Sequence, residues 1–198
     1  MKLQIGNDIN ITYKIDDQII NDKATISFID KDLIYTCGHC FPPNAETNVG
    51  KVIYSSGFDT FSESEEIAII KIFPKYLKNI NNIKLSNQYK FKIQETILLN
   101  NGNFYKGKIL AKIDKKISKG WINIADGILI NHQINKINVP YYIVKIKSDL
   151  NFPGLSGSPW IVKQNNVLTL VGSHIGRTEA IIDNSRKIMV AYVKPFSI

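Results

Sequence analysis

Three short segments of the sequence carry residue types that together can turn a hydroxyl group into a nucleophile. Ser156 stands between Gly154 and Gly157, and glycines let the backbone turn tightly and let a substrate approach. His39 follows one apolar strand-like run, and Glu66 directly precedes another. An imidazole can take the serine proton during attack, while a carboxylate orients the imidazole and stabilises its charged form. We therefore predict that Ser156 is a nucleophile, His39 its general base and Glu66 the orienting acid.

Each of these assignments has an ordinary structural alternative. Glycine and serine are common in turns, and an isolated histidine is often a core or surface residue. Two further acids, Glu65 and Asp59, lie close enough in the sequence to replace Glu66. The co-occurrence of all three segments favours the catalytic interpretation, and the choice among the three acids stays open.

Period-two alternation of apolar and polar residues dominates the chain and predicts many short strands. Turn residues such as Asn100-Asn101-Gly102 separate the runs, and no long segment has the 3.6-residue period of a helix. This pattern predicts an all-β barrel or sandwich, with the polar stretch 75–89 as a linker between two halves. The predicted strands span residues 10–15, 24–29, 51–54, 66–73, 96–99, 105–113, 121–130, 141–147, 159–162, 168–173 and 188–193.

The three segments, in the order His, acid, Ser, resemble those of the chymotrypsin-like (trypsin-like) serine proteases. The similarity runs from about residue 25 to 193 and is greatest to compact viral and bacterial members, namely the picornavirus-type and sobemovirus-type proteases and glutamyl endopeptidases. The resemblance implies an all-β fold of two antiparallel β-barrels with the active site in the cleft between them. Residues 1–85 would form the barrel with the base and acid, and residues 86–198 the barrel with the nucleophile, oxyanion hole and specificity pocket. Most members carry Asp where this chain has Glu66, although picornavirus-type relatives also use Glu.

The same resemblance assigns residues that would bind the substrate. The backbone amides of Gly154 and Ser156 would form the oxyanion hole. Val171–Arg177 resembles a G-x-H-x-G segment whose histidine, here His174, would line the specificity pocket and bind Glu or Gln before the scissile bond. An imidazole suits an amide or carboxylate acceptor, and its protonation would favour the carboxylate. The substrate backbone would pair with the next three residues, Ile175, Gly176 and Arg177. A histidine bonded within a core strand is the alternative for His174.

The two cysteines, Cys37 and Cys40, flank Gly38 and His39. A disulfide between them would strain the loop that carries the base. A zinc ion would need more ligands than Cys37, His39 and Cys40 supply and would consume the base. We therefore predict buried, reduced cysteines, no metal and no cofactor. We also expect His132 to lie in an exposed loop, and Trp121 and Trp160 to anchor the core.

The net charge of +8 is unevenly distributed along the chain. Residues 1–90 hold 10 basic against 11 acidic residues, whereas residues 91–198 hold 15 against 6. A basic second half could attract nucleic acid, but no basic motif interleaved with aromatic residues accompanies it, which favours a solubilising lysine surface. The sequence has no signal peptide or membrane-span pattern and few cysteines, which predicts a cytoplasmic protein without a membrane partner.

These observations predict an intracellular serine endopeptidase that acts on a protein or polyprotein substrate. Two other functions stay open: a nucleic-acid-binding module on the same fold, with weak binding by the basic C-terminal half, and a protease-like scaffold without activity. The presence of both His39 and Ser156 argues against the inactive scaffold, which would need neither.

Overall fold

The computed structural model describes residues 2–56, 66–81, 83–125, 127–136, 139–147, 149–150, 153–164 and 166–196. These residues form two large antiparallel sheets, one short parallel pair of strands and one short helix, α1 (Pro74–Leu77), so the prediction of an all-β fold is confirmed. No helix among them is long and apolar enough to span a membrane. The strands are β1 (Leu3–Gln4), β2 (Asp8–Ile15), β3 (Gln18–Thr25), β4 (Phe28–Asp30), β5 (Leu33–Thr36), β6 (Glu46–Thr47), β7 (Gly50–Ser55), β8 (Ala68–Ile72), β9 (Ile80–Asn81), β10 (Glu95–Asn100), β11 (Asn103–Ile113), β12 (Ser118–Ala125), β13 (Ile128–Lys136), β14 (Tyr141–Ile146), β15 (Pro159–Gln164), β16 (Val167–Ile182) and β17 (Arg186–Lys194).

The first sheet has the strand order β3-β2-β6-β7-β8-β5-β4. Its two edge strands, β3 and β4, are separated along the chain only by Ile26 and Ser27. The Ile26 N–H donates to Asn7 O at 2.9 Å, and the Ser27 N–H donates to Tyr35 O at 3.0 Å. The same stretch of chain therefore contacts both ends of the sheet, which curls it into the first barrel.

The second sheet has the order β12-β13-β16-β15-β10-β11-β14-β17, and β16 also pairs with β17. That extra pairing closes six strands into a ring, which is the second barrel. The ring can close because β16 is 16 residues long. Its N-terminal half pairs with β15, and its last three residues, Ala180–Ile182, pair with the β12–β13 hairpin outside the ring.

One continuous apolar core joins the two barrels. Ile34 and Ile70 of the first barrel belong to the same buried cluster as Ile143, Ile175 and Tyr192 of the second. A smaller cluster around Trp160 lies on the opposite face of the strands of the second barrel: it contains Tyr142 and Val144 of β14, whereas Ile143 belongs to the shared cluster. Because burial of apolar surface is the main stabilising term in folding, the shared cluster fixes the two barrels against each other.

The stretch predicted as a linker contacts both barrels. Its β9 strand pairs with β1 near the first barrel, and Ser86 exchanges backbone hydrogen bonds with Leu168 and Leu170 of the second. The division of the chain between residues 85 and 86 stays a prediction.

Two strands differ from the sequence-based prediction for a physical reason. The outer part of β3, residues 18–23, is largely exposed and its two isoleucines are adjacent, so it lacks apolar alternation. It nevertheless pairs with β2 across a turn in which Asp16 and Asp17 both have positive φ, 46° and 65°. Such turns match the twist of a two-stranded hairpin. The predicted strand 121–130 is instead a hairpin that reverses near Gly127, where φ is 71°.

Two single-residue expectations are wrong. His132 lies in β13, fully buried, with Nδ1 3.0 Å from the Tyr192 hydroxyl oxygen, rather than in an exposed loop. Trp121 is 48% exposed and does not anchor the core. Trp160 is fully buried, as expected.

Candidate active site

His39 is presented by a tight turn that follows β5. The Phe41 N–H donates to Gly38 O at 3.0 Å, and the Ser55 hydroxyl donates to Phe41 O at 2.8 Å. A Cβ at Gly38 would lie 2.2 Å from Ser56 Oγ and 2.9 Å from Ile67 N. Only glycine therefore allows the loop of the base to pack this closely against the chain around Ile67.

The structure brings both Ser156 and Glu66 within hydrogen-bond distance of His39. His39 Nε2 lies 2.9 Å from Ser156 Oγ, and His39 Nδ1 lies 3.0 Å from Glu66 Oε2. Glu66 Oε2 also lies 3.4 Å from the main-chain nitrogen of His39. One imidazole thus bridges a hydroxyl and a carboxylate through its two different nitrogens, which is the arrangement needed for proton transfer from the serine.

Glu66 is held in an unusual backbone conformation. Its side chain is fully buried, and its φ of 54° lies in the left-handed region that non-glycine residues seldom adopt. Such conformations cost roughly 1–3 kcal/mol and are found where the surrounding structure imposes them, often at functional sites. The two alternative acids, Glu65 and Asp59, lie outside the described residues.

The electrostatics around His39 favour its protonated form. Burial by itself lowers the pKa of His39, but hydrogen bonds to Cys40 and Glu66 outweigh it, so the pKa lies above the ordinary value. The hydrogen bond from Cys37 and the proximity of His39 lower the pKa of Cys40, whereas burial raises the pKa of Cys37. An imidazolium formed during a reaction would therefore be stabilised.

The loop that carries Ser156 is clamped by residues from both barrels. The Thr25 hydroxyl donates to Gly154 O, the Thr25 N–H donates to Ser156 O at 2.8 Å, and the Ser27 hydroxyl donates to Gly157 O. These bonds fix the carbonyl groups of the loop on the side that faces the first barrel. The amides of Gly154 and Ser156 donate to no acceptor among the described residues.

A buried asparagine completes this clamp from the second barrel. Asn100 Nδ2 lies 3.1 Å from Gly154 O and 2.9 Å from both Thr25 Oγ1 and Ser158 Oγ. The loop also needs glycine at position 157, where φ is 88° and an added Cβ would lie 2.3 Å from Thr25 O. The shape of the nucleophile loop thus depends on contacts between residues far apart in the sequence.

Sequence reasoning missed Thr25, Ser27 and Asn100. Thr25 and Ser27 fell inside a predicted strand, and Asn100 was interpreted as part of a turn. Their role depends on partners more than 50 residues away along the chain. No local pattern in the sequence carries that information.

His174 lies in β16, next to the nucleophile loop. The main-chain N–H of His174 donates to Ser158 O at 2.9 Å, and its main-chain carbonyl accepts the Gly157 N–H at 2.8 Å. The side chain is only 3% exposed, and its ring centre lies 6.4 Å from that of Trp160. Burial, aided by the charges of His39 and Arg177, lowers the pKa of His174 to about 3. Its Nδ1 atom is buried and has no hydrogen-bond partner in the described part of the chain.

One edge of β16 is open beyond His174. On one side, residues 174–177 pair with β17. On the other side, β15 pairs with β16 only up to Ser173, and β13 pairs with it only from Ala180. Within the described ranges, no strand covers the second edge of the segment Ile175, Gly176 and Arg177.

Both cysteines are buried, as predicted, and they are not joined by a disulfide. One ligand atom each from Cys37, His39 and Cys40 lies within 4.8 Å of the others. Two sulfur atoms and an imidazole nitrogen at such distances could hold a thiophilic metal ion.

No protein-family model matches the sequence, and no curated protein sequence matches it. Solved structures do match. A chymotrypsin of Cellulomonas bogoriensis is 14% identical, covers 100% of this chain and 93% of its own, and has a TM-score of 0.61. Protease A of Thermobifida fusca is 12% identical with the same coverage and a TM-score of 0.61.

A third match is the active form of the Rv3671c protease of M. tuberculosis. It is 15% identical, covers 94% of this chain and 75% of its own, and has a TM-score of 0.52. Identities this low establish architecture and not activity. Together with the closed second barrel and the curled first sheet, they show that the chain has the two-barrel fold of the chymotrypsin-like proteases.

Proposed function

We propose that the chain is a serine endopeptidase. The observation that carries this proposal is the bridging position of His39, whose two ring nitrogens lie 2.9 Å from Ser156 Oγ and 3.0 Å from Glu66 Oε2. A surface serine with an ordinary turn role would not need a buried carboxylate behind its histidine. The fold adds support, since Ser156 belongs to one barrel and both His39 and Glu66 belong to the other, as a triad at a barrel interface would require.

In the proposed reaction, Ser156 Oγ attacks the carbonyl carbon of the scissile bond while His39 Nε2 takes the hydroxyl proton. Glu66 holds the Nδ1–H and stabilises the imidazolium. The amides of Gly154 and Ser156 donate to the oxyanion. His39 then passes its proton to the leaving amine, which departs and leaves an acyl group on Ser156. A water molecule, deprotonated by His39, releases the acyl group by the same steps in reverse.

The proposed specificity is for Glu or Gln before the scissile bond, and it rests on His174. A buried polar atom without a partner costs about 1–3 kcal/mol, which a substrate side chain that reaches it would recover. The low pKa of His174 leaves its imidazole neutral at neutral pH, so it offers no charge to a carboxylate. Among the two acceptable side chains, we therefore expect Gln to be cleaved faster than Glu. The substrate backbone would pair with the open edge at residues 175–177.

Substitution of the proposed nucleophile and base tests the activity. Ser156→Ala and His39→Ala should each abolish peptide hydrolysis, and the double variant should be no slower, because residues that act as a unit are not additive. Labelling with a fluorophosphonate should modify Ser156 and no other serine. Ser185→Ala, in an exposed turn, is the matched control and should keep wild-type turnover. Wild-type turnover by Ser156→Ala would overturn the proposal.

Cleavage of a mixed peptide library tests the specificity separately. The wild-type chain should prefer Gln, then Glu, before the scissile bond, and His174→Ala should erase that preference. A wild-type profile dominated by basic or aromatic residues would reject the role of His174 without affecting the triad.

A further inference from the structure

The two cysteines have no role in the proposed reaction, yet they flank its base. Cys37 and Cys40 are both buried, and their sulfur atoms lie with a ring nitrogen of His39 inside a cluster no wider than 4.8 Å. His39 is the member of the cluster that reaches the surface, with 13% of its side chain exposed. Small solutes can therefore reach the cluster through the exposed part of His39.

The three ligand types fit a divalent ion of the zinc type. Zn²⁺ binds cysteine sulfur at about 2.3 Å and histidine nitrogen at about 2.0–2.1 Å, so ligand atoms in a tetrahedral site are roughly 3.5–4 Å apart. The separations between the ligand atoms of this cluster are at most 4.8 Å, so the longest of them would need to shorten by roughly 0.8–1.3 Å at most. Three protein ligands are too few for a closed structural site, as expected from the sequence; in an open site, they leave the fourth position of the ion for water. Each thiol would bind as a thiolate and release its proton to solvent.

Binding of such an ion is incompatible with the arrangement of the triad. His39 Nε2 faces Ser156 and His39 Nδ1 faces Glu66, so coordination through either nitrogen breaks one of the two contacts. An ion held through Nε2 would take the lone pair that accepts the serine proton. An ion held through Nδ1 would displace the carboxylate.

We propose that Cys37, His39 and Cys40 form an inhibitory site for a thiophilic divalent cation, with Zn²⁺ as the reference ion. Occupation of the site switches the base from proton transfer to metal coordination, and removal of the ion restores it. The site itself follows from the three side chains alone. Its inhibitory effect rests on the proposed peptidase function.

Metal binding is tested first, without any need for turnover. The full chain carrying Ser156→Ala, kept reduced with a phosphine, is dialysed against Zn²⁺ and should bind one ion per chain. Bound Cd²⁺ should give a thiolate-to-metal absorption band. When Cys37→Ser or Cys40→Ser is added to this chain, Zn²⁺ affinity should fall by at least about 100-fold. Substitution of residues that only hydrogen-bond to metal ligands already lowers metal affinity about 10–100-fold.

Two further variants make the binding test specific. His39→Gln should weaken Zn²⁺ binding, whereas His132→Gln, which removes a buried imidazole outside the cluster, should leave it unchanged. Thermal unfolding verifies that each variant is folded. The Cd²⁺ band is measured on the chain that keeps both thiols, so it tests the site even if a cysteine variant fails to fold. Absence of both Zn²⁺ binding and the Cd²⁺ band, or full affinity without the two thiols, would overturn the site.

Inhibition is tested with the chain that carries Ser156. Zn²⁺ should slow peptide hydrolysis at least tenfold, and a chelator should restore it. In the double variant Cys37→Ser/Cys40→Ser, the rate with Zn²⁺ is compared with the rate of the same variant without Zn²⁺. This ratio should be close to one. Equal inhibition of that variant would place the effect of the ion elsewhere. Thiol-dependent binding by a chain with no peptidase activity would reject the proposed function and leave the metal site standing.

Discussion

At the scale of single residues, the most informative side chain is Glu66. Its carboxylate is fully buried, and Oε2 contacts both the ring and the main-chain nitrogen of His39. Burial of a carboxylate is costly unless charge partners and hydrogen bonds compensate it. The burial of Glu66 is therefore consistent with an acid that stabilises a positive charge on His39. A purely structural residue at this position would not need to be charged.

We predict that Glu66→Gln lowers kcat by several orders of magnitude with little change in fold. An amide can turn its NH₂ group toward Nδ1, which favours the tautomer with the proton on Nε2 and removes the lone pair that accepts the serine proton. Peptide hydrolysis and thermal unfolding measure the two effects. Glu65→Gln and Asp59→Asn are the matched controls, and each should lower kcat only slightly. A larger loss in either control than in Glu66→Gln would move the acid to that residue.

The raised pKa of His39 predicts a pH profile. The base must be deprotonated to act, so activity should rise with pH through the pKa of His39, and half of the maximal kcat/KM should be reached above about 6.5, the ordinary value for histidine. Cys40→Ser removes one of the groups that raise this pKa and should shift the rise to lower pH. Rates are measured with a chelator present to keep the cluster free of metal. An unshifted profile would remove Cys40 from the electrostatics of the base.

The residues that could be predicted from the sequence are those whose chemistry is rare. His39 is one of three histidines, and Ser156 stands in a short glycine-rich string, so both could be identified locally. His132 could not, because its burial depends on the Tyr192 hydroxyl, 60 residues away along the chain. Trp121 failed for the opposite reason: its size predicts burial, but its hairpin lies outside the closed ring of strands.

At the scale of elements, the nucleophile loop acts as a joint between the barrels. Thr25 ends a strand of the first barrel and Asn100 ends a strand of the second, and both hold the carbonyl of Gly154. A peptide group whose carbonyl is fixed has its orientation fixed, and the neighbouring amides share that constraint. The clamp therefore shapes the proposed oxyanion hole without touching the substrate.

We predict that Asn100→Ala lowers kcat about tenfold or more while KM changes little. Loss of one direct oxyanion donor typically lowers kcat by about 10²–10³-fold. Loss of a residue that only positions the donors should lower kcat by less. A merely structural role would instead lower stability and leave kcat per folded molecule unchanged. Asn48→Ala, whose side chain bonds Asn10 within the first barrel, is the control. An unchanged kcat in Asn100→Ala would show that the loop keeps its shape without the clamp.

Among the elements, strands with apolar alternation could be predicted, and their pairings could not. The alternating pattern of β2 is plain in the sequence, whereas the outer part of its partner β3 has two adjacent isoleucines, Ile19 and Ile20, among polar residues and therefore no alternation. The length of β16 was also underestimated, because its C-terminal half gains its partners from β17 and β13 rather than from its own pattern. Long-range pairing, which alternation does not encode, decides both cases.

At the scale of the whole molecule, the proposed site exists only where the two barrels meet. His39 and Glu66 come from one barrel and Ser156 from the other, and a single apolar cluster continues from Ile34 of the first barrel to Ile143 of the second. Neither barrel can bury its share of this cluster alone. The integrity of the site and the stability of the chain should therefore be lost together.

We predict one cooperative unfolding transition, and the chain carries natural probes for both barrels. Trp160 lies in the second barrel, Trp121 lies in the β12–β13 hairpin attached to that barrel, and both cysteines lie buried in the first barrel. In a urea titration of reduced protein, tryptophan fluorescence, the reactivity of the thiols toward a chromogenic disulfide and peptide hydrolysis should share one midpoint, as two-state unfolding requires. Thiol exposure at lower urea than the fluorescence change would mean that the first barrel opens independently. Since the shared core leaves each barrel incomplete without the other, we expect the three curves to coincide.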